Sequence, residues 1–263
     1  ISYLASILAG RPVGKNWVDR FYERNIGRIC SSKASNLDPK RAQAFNSHTV
    51  KSHFAEFGEL IITKKVKPRN LYNWDEQGTQ HGGGKKTGQH KYAVHPSMRG
   101  KLYKQASGNL ELTTILEAIA ADGGDLMPMF IDSGDGIDID WATVHPDIVV
   151  ASSDNGWTDD ALGLKYLQEC FIPQATARHK SPDNTIVLVM DGHSSQYSAE
   201  MAALARKHNI ELYALPPHTT HKLQPLDVGV FGPFKSAWQK LCASYVACFD
   251  REMPRRKFVR EYM

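Results

Sequence analysis

Cysteine is scarce in this chain. Its four residues, Cys30, Cys170, Cys242 and Cys248, are scattered and form no CxxC pair. A disulfide scaffold is excluded, zinc ribbons and thioredoxin motifs are unsupported, and a reduced intracellular setting is expected. No apolar run reaches the roughly 18 residues of a membrane span, so no membrane partner is expected. Internal repeats and low-complexity tracts are also missing. The glycines and lysines of His81–Gly88 lack the GxxxxGK[ST] order, so no nucleotide cofactor is expected. The chain opens Ile-Ser-Tyr-Leu-Ala-Ser-Ile-Leu-Ala-Gly, without a starting Met or a basic leader. A signal peptide is a poor reading of that stretch, and a fragment of a longer protein is expected.

What is present looks globular. The 263 residues are 41% hydrophobic and 23% charged, enough for one large domain or two smaller ones. The net charge of +4 hides an asymmetry. Residues 1–70 hold 13 Lys/Arg against 5 Asp/Glu, a balance of +8, while the remainder stands at −4. A basic arm on an acidic body points to a nucleic-acid-binding segment or to a solvated basic surface, and charge alone leaves both open.

Residues 1–60 read mostly helical. Ile1, Leu4, Ile7 and Leu8 fit one helix face, and Gly10–Gly14 breaks the pattern. A second helix follows at 15–25, with Trp17, Phe21 and Val18 inward and Lys15, Arg20 and Arg24 largely off that face. Two short helices around a glycine-containing turn make a helix-turn-helix pattern. Residues 31–42 read as a linker, and a helix is expected at about 43–60. Strands follow: 70–74, ending in Asp75–Gly78, then Lys91–His95, Leu110–Ala120 and Leu126–Ile131, with a loop at Asp132–Gly136. Helices are expected at Thr158–Phe171, Ser198–Asn209 and Leu226–Phe249. Thr185–Met190 reads as a central strand buried on both faces, and Ile210–Leu215 as another strand. The sum is a mixed α/β sheet with helices on both faces.

Three acids stand at special places. Asp75 follows the first strand, Asp191 the most apolar one, and Asp227 opens a helix after a Pro-rich turn. Carboxylates gathered at strand ends repel one another unless a divalent cation bridges them, and oxygen ligands suit Mg²⁺ or Mn²⁺. Two such ions support phosphodiester chemistry. Read singly, each acid is a helix cap or a turn residue. A small-molecule phosphatase would place DxD after the first strand, whereas Glu76 and Gln77 follow Asp75.

The segments NWDEQG (73–78), LVMDGHSSQYS (188–198) and LPPHTTHKLQPLDVGVFGPFK (215–235) resemble the three blocks of DDE superfamily transposases of the pogo-like branch. That branch includes centromere protein B and the Tigger and jerky relatives. TTILEAIAADG (113–123) and Asn155–Thr158 look like the family's intermediate blocks. The 35 residues between Asp191 and Asp227 fit its second-to-third acid interval. PVGKNWVDRFYERN (12–25) resembles the end of a centromere-protein-B-type helix-turn-helix. Gln196 departs from the family, standing where many members have His.

The resemblance implies an RNase H-like fold preceded by a helix-turn-helix remnant. It also implies two Mg²⁺ or Mn²⁺ ions held by Asp75, Asp191 and Asp227, with DNA cleavage and strand transfer. Its domains would be 1–68 for DNA binding and linker, 69–245 for catalysis, and a basic segment at 246–263. DNA partners, a homo-oligomeric active form and a nuclear location go with it. Lys15, Asn16, Arg20 and Arg24 are the expected DNA contacts. His193, His221 and Lys222 are possible accessories, and zinc at His218 and His221 lacks the cysteine pair that would complete it. Pro254–Lys257 binds DNA, serves nuclear import or is a solvated helix end. A domesticated relative that binds DNA or chromatin without cutting is the alternative function.

Overall fold

A computed structural model describes residues 2–29, 38–84, 107–133, 139–153, 158–179, 184–192 and 198–263. The strand expected at Lys91–His95 lies outside them, as do Cys30, Trp157, His193 and Gln196. The chain forms two compact units, Ile1–Asp38 and Pro39–Met263.

In the smaller unit α1 spans Ser2–Ala9 and α2 spans Trp17–Arg24. Trp17 and Phe21, one turn apart on α2, stack with ring centroids 5.0 Å apart. They mark its half-buried face, and Lys15, Asn16, Arg20 and Arg24 are exposed.

The larger unit is built on six strands: β1 (Leu71–Gln80), β2 (Leu112–Ala120), β3 (Met129–Ser133), β4 (Val149–Ser153), β5 (Ile186–Met190) and β6 (Ile210–Ala214). They lie in the order β4-β3-β2-β1-β5-β6. β1, β2 and β3 pair antiparallel, while β3–β4, β1–β5 and β5–β6 are parallel. β5 is buried at every position, as its unbroken apolar run requires.

Helices cover both faces. On one lie α6 (Asp160–Lys165), its π-helical continuation Tyr166–Phe171, α7 (Ile172–Arg178) and α8 (Ala199–Lys207). They enclose Tyr72, Trp74, Leu116 and Leu188 with Leu167, Phe171 and Met201. The other face is covered in two patches. Phe57 and Leu60 of α4 (Ser47–Thr63) pack on Val187, Val189 and Leu215. Trp141 of α5 (Ile139–Ala142), Trp238 of α10 (Phe231–Phe249) and Phe258 of α11 (Phe258–Tyr262) pack on Ile115 and Phe130. Each large buried side chain contributes about 1.5–3 kcal/mol.

Four expectations need correction. β1 does not stop at Trp74, because every residue from Tyr72 to Gln80 pairs with β2. Its polar Asn73, Asp75, Gln77 and Thr79 share one face, so Asp75 is mid-strand. β4 was not anticipated; it is a five-residue edge strand. α3 (Pro39–Ala44) stands where a polar linker was expected. The helix expected at 158–171 runs on through Pro173, which falls in the first turn of α7, directly after the π-helical stretch.

The basic C-terminal stretch is part of the packed body. Phe258 and Val259 are fully buried, and the Arg255 guanidinium bonds to Glu111 and to buried Asp132. Cys170 and Cys242 are buried free thiols and Cys248 an exposed one. Trp238 is a packing residue, and its indole N–H donates to the Gln80 carbonyl at 2.8 Å.

Candidate active site

Strand pairing brings two of the three acids to the same end of a parallel ladder. β1 and β5 align Leu71 with Val187, Tyr72 with Leu188 and Asn73 with Val189. Asp75 and Asp191 each lie two residues beyond the last of these pairs, at the same end of the parallel ladder. β5 ends at Met190 while β1 runs on, so Asp75 lies just past the end of the parallel pairing. Its antiparallel neighbour on the other side is Glu117.

The turn after β5 depends on Gly192. A Cβ there would stand 2.3 Å from the Leu215 carbonyl oxygen. The Leu215 N–H donates to the Met190 carbonyl at 2.9 Å, so the chain leaving β6 closes on the chain leaving β5. Read locally, Asp-Gly is a turn; here the glycine is required by a backbone approach.

The third acid arrives on a different element. Asp227 lies in a π-helical turn, Leu226–Val230, that runs into α10. Two buried carboxamides tie this turn to the strands. Asn73 Nδ2 donates to the Val189 carbonyl at 3.1 Å and to Gln224 Oε1 at 2.6 Å. Asn73 Oδ1 accepts from the Leu226 N–H at 3.0 Å, and Gln224 Nε2 donates to the Trp74 carbonyl at 3.0 Å.

The three carboxylates feel one another. Burial, then the charge of Asp227, pushes the Asp75 carboxyl up to about 7, and Asp191 adds to this. The Glu76 N–H and the Gln224 amide act in the opposite direction. Asp227 is exposed at its rim, yet the surrounding protein raises its carboxyl as well. Lys235 and Arg41 pull it down, and Asp191 pushes it up. Among the described residues no group of three His, Cys, Asp or Glu is drawn together tightly enough to hold a metal as the side chains stand. The donor set nonetheless fits a hard divalent cation. It consists of carboxylate oxygens whose mutual repulsion the nearby lysine and arginine do not cancel.

Of the proposed accessories, His221 meets Phe45 edge-on at 5.9 Å, and its Nδ1 is buried without a hydrogen-bond partner. Lys222 is exposed, and His193 lies outside the described residues. Sequence reasoning passed over Asn73, Gln224, Arg41 and Lys235. The two amides were visible inside the acid blocks, two residues before Asp75 and three before Asp227. Arg41 carried no signal, because its place near Asp227 depends on tertiary packing.

A family model described as DDE superfamily endonuclease matches residues 109–251, just over half of the chain. The MFS-type transporter clz9 of Cochliobolus lunatus is 31% identical over 177 residues, which are 66% of this chain and 19% of that protein. The chain thus spans about a fifth of that relative's length. Among the described residues no helix is long and apolar enough to cross a membrane.

Solved structures resemble the fold. The Mos1 mariner paired end complex with Mn matches with a TM-score of 0.58 at 12% identity, covering 95% of this chain and 67% of that one. The Mos1 strand transfer complex matches at 0.57 and 13%, covering 99% and 68%. The pre-cleavage Mos1 transpososome matches at 0.55 and 12%, covering 95% and 67%. The six-stranded mixed sheet with helices on both faces is RNase H-like, as the sequence resemblance implied.

Proposed function

The chain belongs to the DDE superfamily endonucleases, and on that premise we propose that it cleaves DNA phosphodiesters and transfers the resulting strand. The observation that supports this reading is the position of Asp75 and Asp191, each two residues past the last β1–β5 pair, joined by the charge coupling of both to Asp227. Asp75, Asp191 and Asp227 would hold the two Mg²⁺ or Mn²⁺ ions. Such ions would supply activation of the attacking water or 3′-hydroxyl and stabilisation of the leaving oxygen. Lys235 and Arg41, whose charges reach Asp227, are suited to contact the DNA phosphates beside it.

DNA is the proposed partner, and the Mos1 likenesses include a paired end complex and a strand transfer complex. Lys15, Asn16, Arg20 and Arg24 are exposed on or beside α2 and would contact phosphates or groove edges, with an affinity that falls as salt rises. A homo-oligomeric active form and a nuclear location belong to the same proposal.

The test is nicking of supercoiled plasmid by the purified protein with Mn²⁺, Mg²⁺ or EDTA. Wild type should nick only with a divalent ion, and Asp191→Ala should not nick at all. Equal behaviour of the two proteins would overturn the catalytic reading.

A second reading is a protein that binds DNA or chromatin without cutting it. It is favoured by the lack, among the described residues, of an acid group already closed around a metal position. Such a protein would shift DNA in a gel yet show no divalent-ion stabilisation that depends on the three acids.

A further inference from the structure

The three acids lie on separate pieces of chain, so something must fix their separation. The two carboxamides touch the backbone next to each of them. Asn73 bonds to Val189, two residues before Asp191, and to the N–H of Leu226, directly before Asp227. Gln224 bonds to the carbonyl of Trp74, directly before Asp75. The amides also bond to each other at 2.6 Å. Asn73 is 6% exposed and Gln224 fully buried, so water does not compete for these bonds.

The geometry has one consistent assignment. Both Asn73 donors and its acceptor are used, and the Gln224 oxygen accepts the Asn73 amide. A buried amide with every group satisfied holds one arrangement, because any shift would leave a desolvated polar group unpaired. One side chain, Asn73, thus joins β1, β5 and the Leu226–Val230 turn.

We propose that Asn73 and Gln224 form a clamp that sets the spacing of Asp75, Asp191 and Asp227 and thereby the site's affinity for divalent cations. Both are positioning residues, since neither is itself a ligand in this scheme. The proposal rests on the metal-binding reading above, and its test carries one readout that is independent of metal.

Asn73→Ala removes the central amide, and Gln224→Met keeps volume while removing every bond. Each is compared with wild type by amide hydrogen exchange in EDTA and by Mn²⁺ titration of the thermal melting point. Exchange at Leu226–Gly229 should rise about tenfold or more in both variants, with Val187 and Leu188 on β5 unaffected. The Mn²⁺ midpoint should rise about tenfold, the usual scale for losing a partner that orients a ligand.

A merely structural role would lower the melting point in EDTA and leave the Mn²⁺ midpoint unchanged; that result overturns the clamp. Unchanged exchange at Leu226 overturns it too. A wild type with no Mn²⁺ response defeats the metal reading instead. The clamp is then judged on exchange alone, supported by loosening at Leu226 and overturned without it.

Discussion

Replacing Asp75 by Asn should make the metal-free protein more stable at alkaline pH while abolishing the proposed nicking of DNA. Asn has nearly the same shape, and its oxygen can still accept the N–H of Glu76, as the aspartate does at 2.9 Å. What the substitution removes is a charge that the fold disfavours. The Asp75 carboxyl stands near 7 against an ordinary 3.8, chiefly through burial and then through Asp227. Between those two values the folded protein holds a proton that the unfolded chain has released. Stability is therefore full below about 3.8 and is lost as pH rises through about 7.

At about 1.36 kcal/mol per pH unit, the shift amounts to about 4 kcal/mol as a ceiling. Residual solvent contact at Asp75 lowers this to about 2 kcal/mol or somewhat more. For a chain of this size each kcal/mol moves the melting point by about 2–4 °C. In EDTA at pH 8, Asp75→Asn should thus melt about 4–16 °C above wild type. The gap should close as the pH is lowered toward 4. On the proposed metal role of Asp75, adding Mn²⁺ should reverse the order by stabilising wild type alone. A variant less stable than wild type in EDTA at pH 8, or a gap that does not change with pH, would refute the reasoning.

Two further outcomes concern the other end of the sheet. Burial, then Arg255, pushes the His81 imidazole down to about 4. The unfolded chain takes up that proton first, so His81 costs stability as pH falls from about 6.5 toward 4, by about 3 kcal/mol in total. His81→Gln should flatten this part of the stability–pH curve in denaturant titrations. Arg255→Met leaves Asp132 fully buried without its guanidinium partner. Breaking a buried pair costs about 3–5 kcal/mol; Arg255 is partly exposed, so about 2–3 kcal/mol is expected from urea midpoints.

Parts of this molecule could be read directly from the chain. The apolar run at β5, the strand at β6 and the long helix ending at Phe249 carry their own periodicity. The acid blocks and the basic α2 surface were visible for the same reason, since residue type and spacing are local. The course of β1 past Trp74 was not visible. Asn, Asp, Glu, Gln and Gly form a strand there because β2 supplies a partner along the whole length. β4 was hidden by its shortness, and the C-terminal stretch by its charge: Arg255, Arg256 and Lys257 mask the buried Phe258 beside them.

The order and identity of the three acids are properties of the sequence by itself. So are the buried character of β5 and the charge difference between the first 70 residues and the rest. Tertiary structure alone decided that Asp75 and Asp191 come to the same end of the β1–β5 ladder, that Gly192 must yield to Leu215, and that Asn73 meets Gln224. The physical reason is range. Periodicity and turn chemistry act over a few residues, whereas these contacts join segments far apart in the chain. Strand pairing and the satisfaction of buried amides select them only after the sheet has formed.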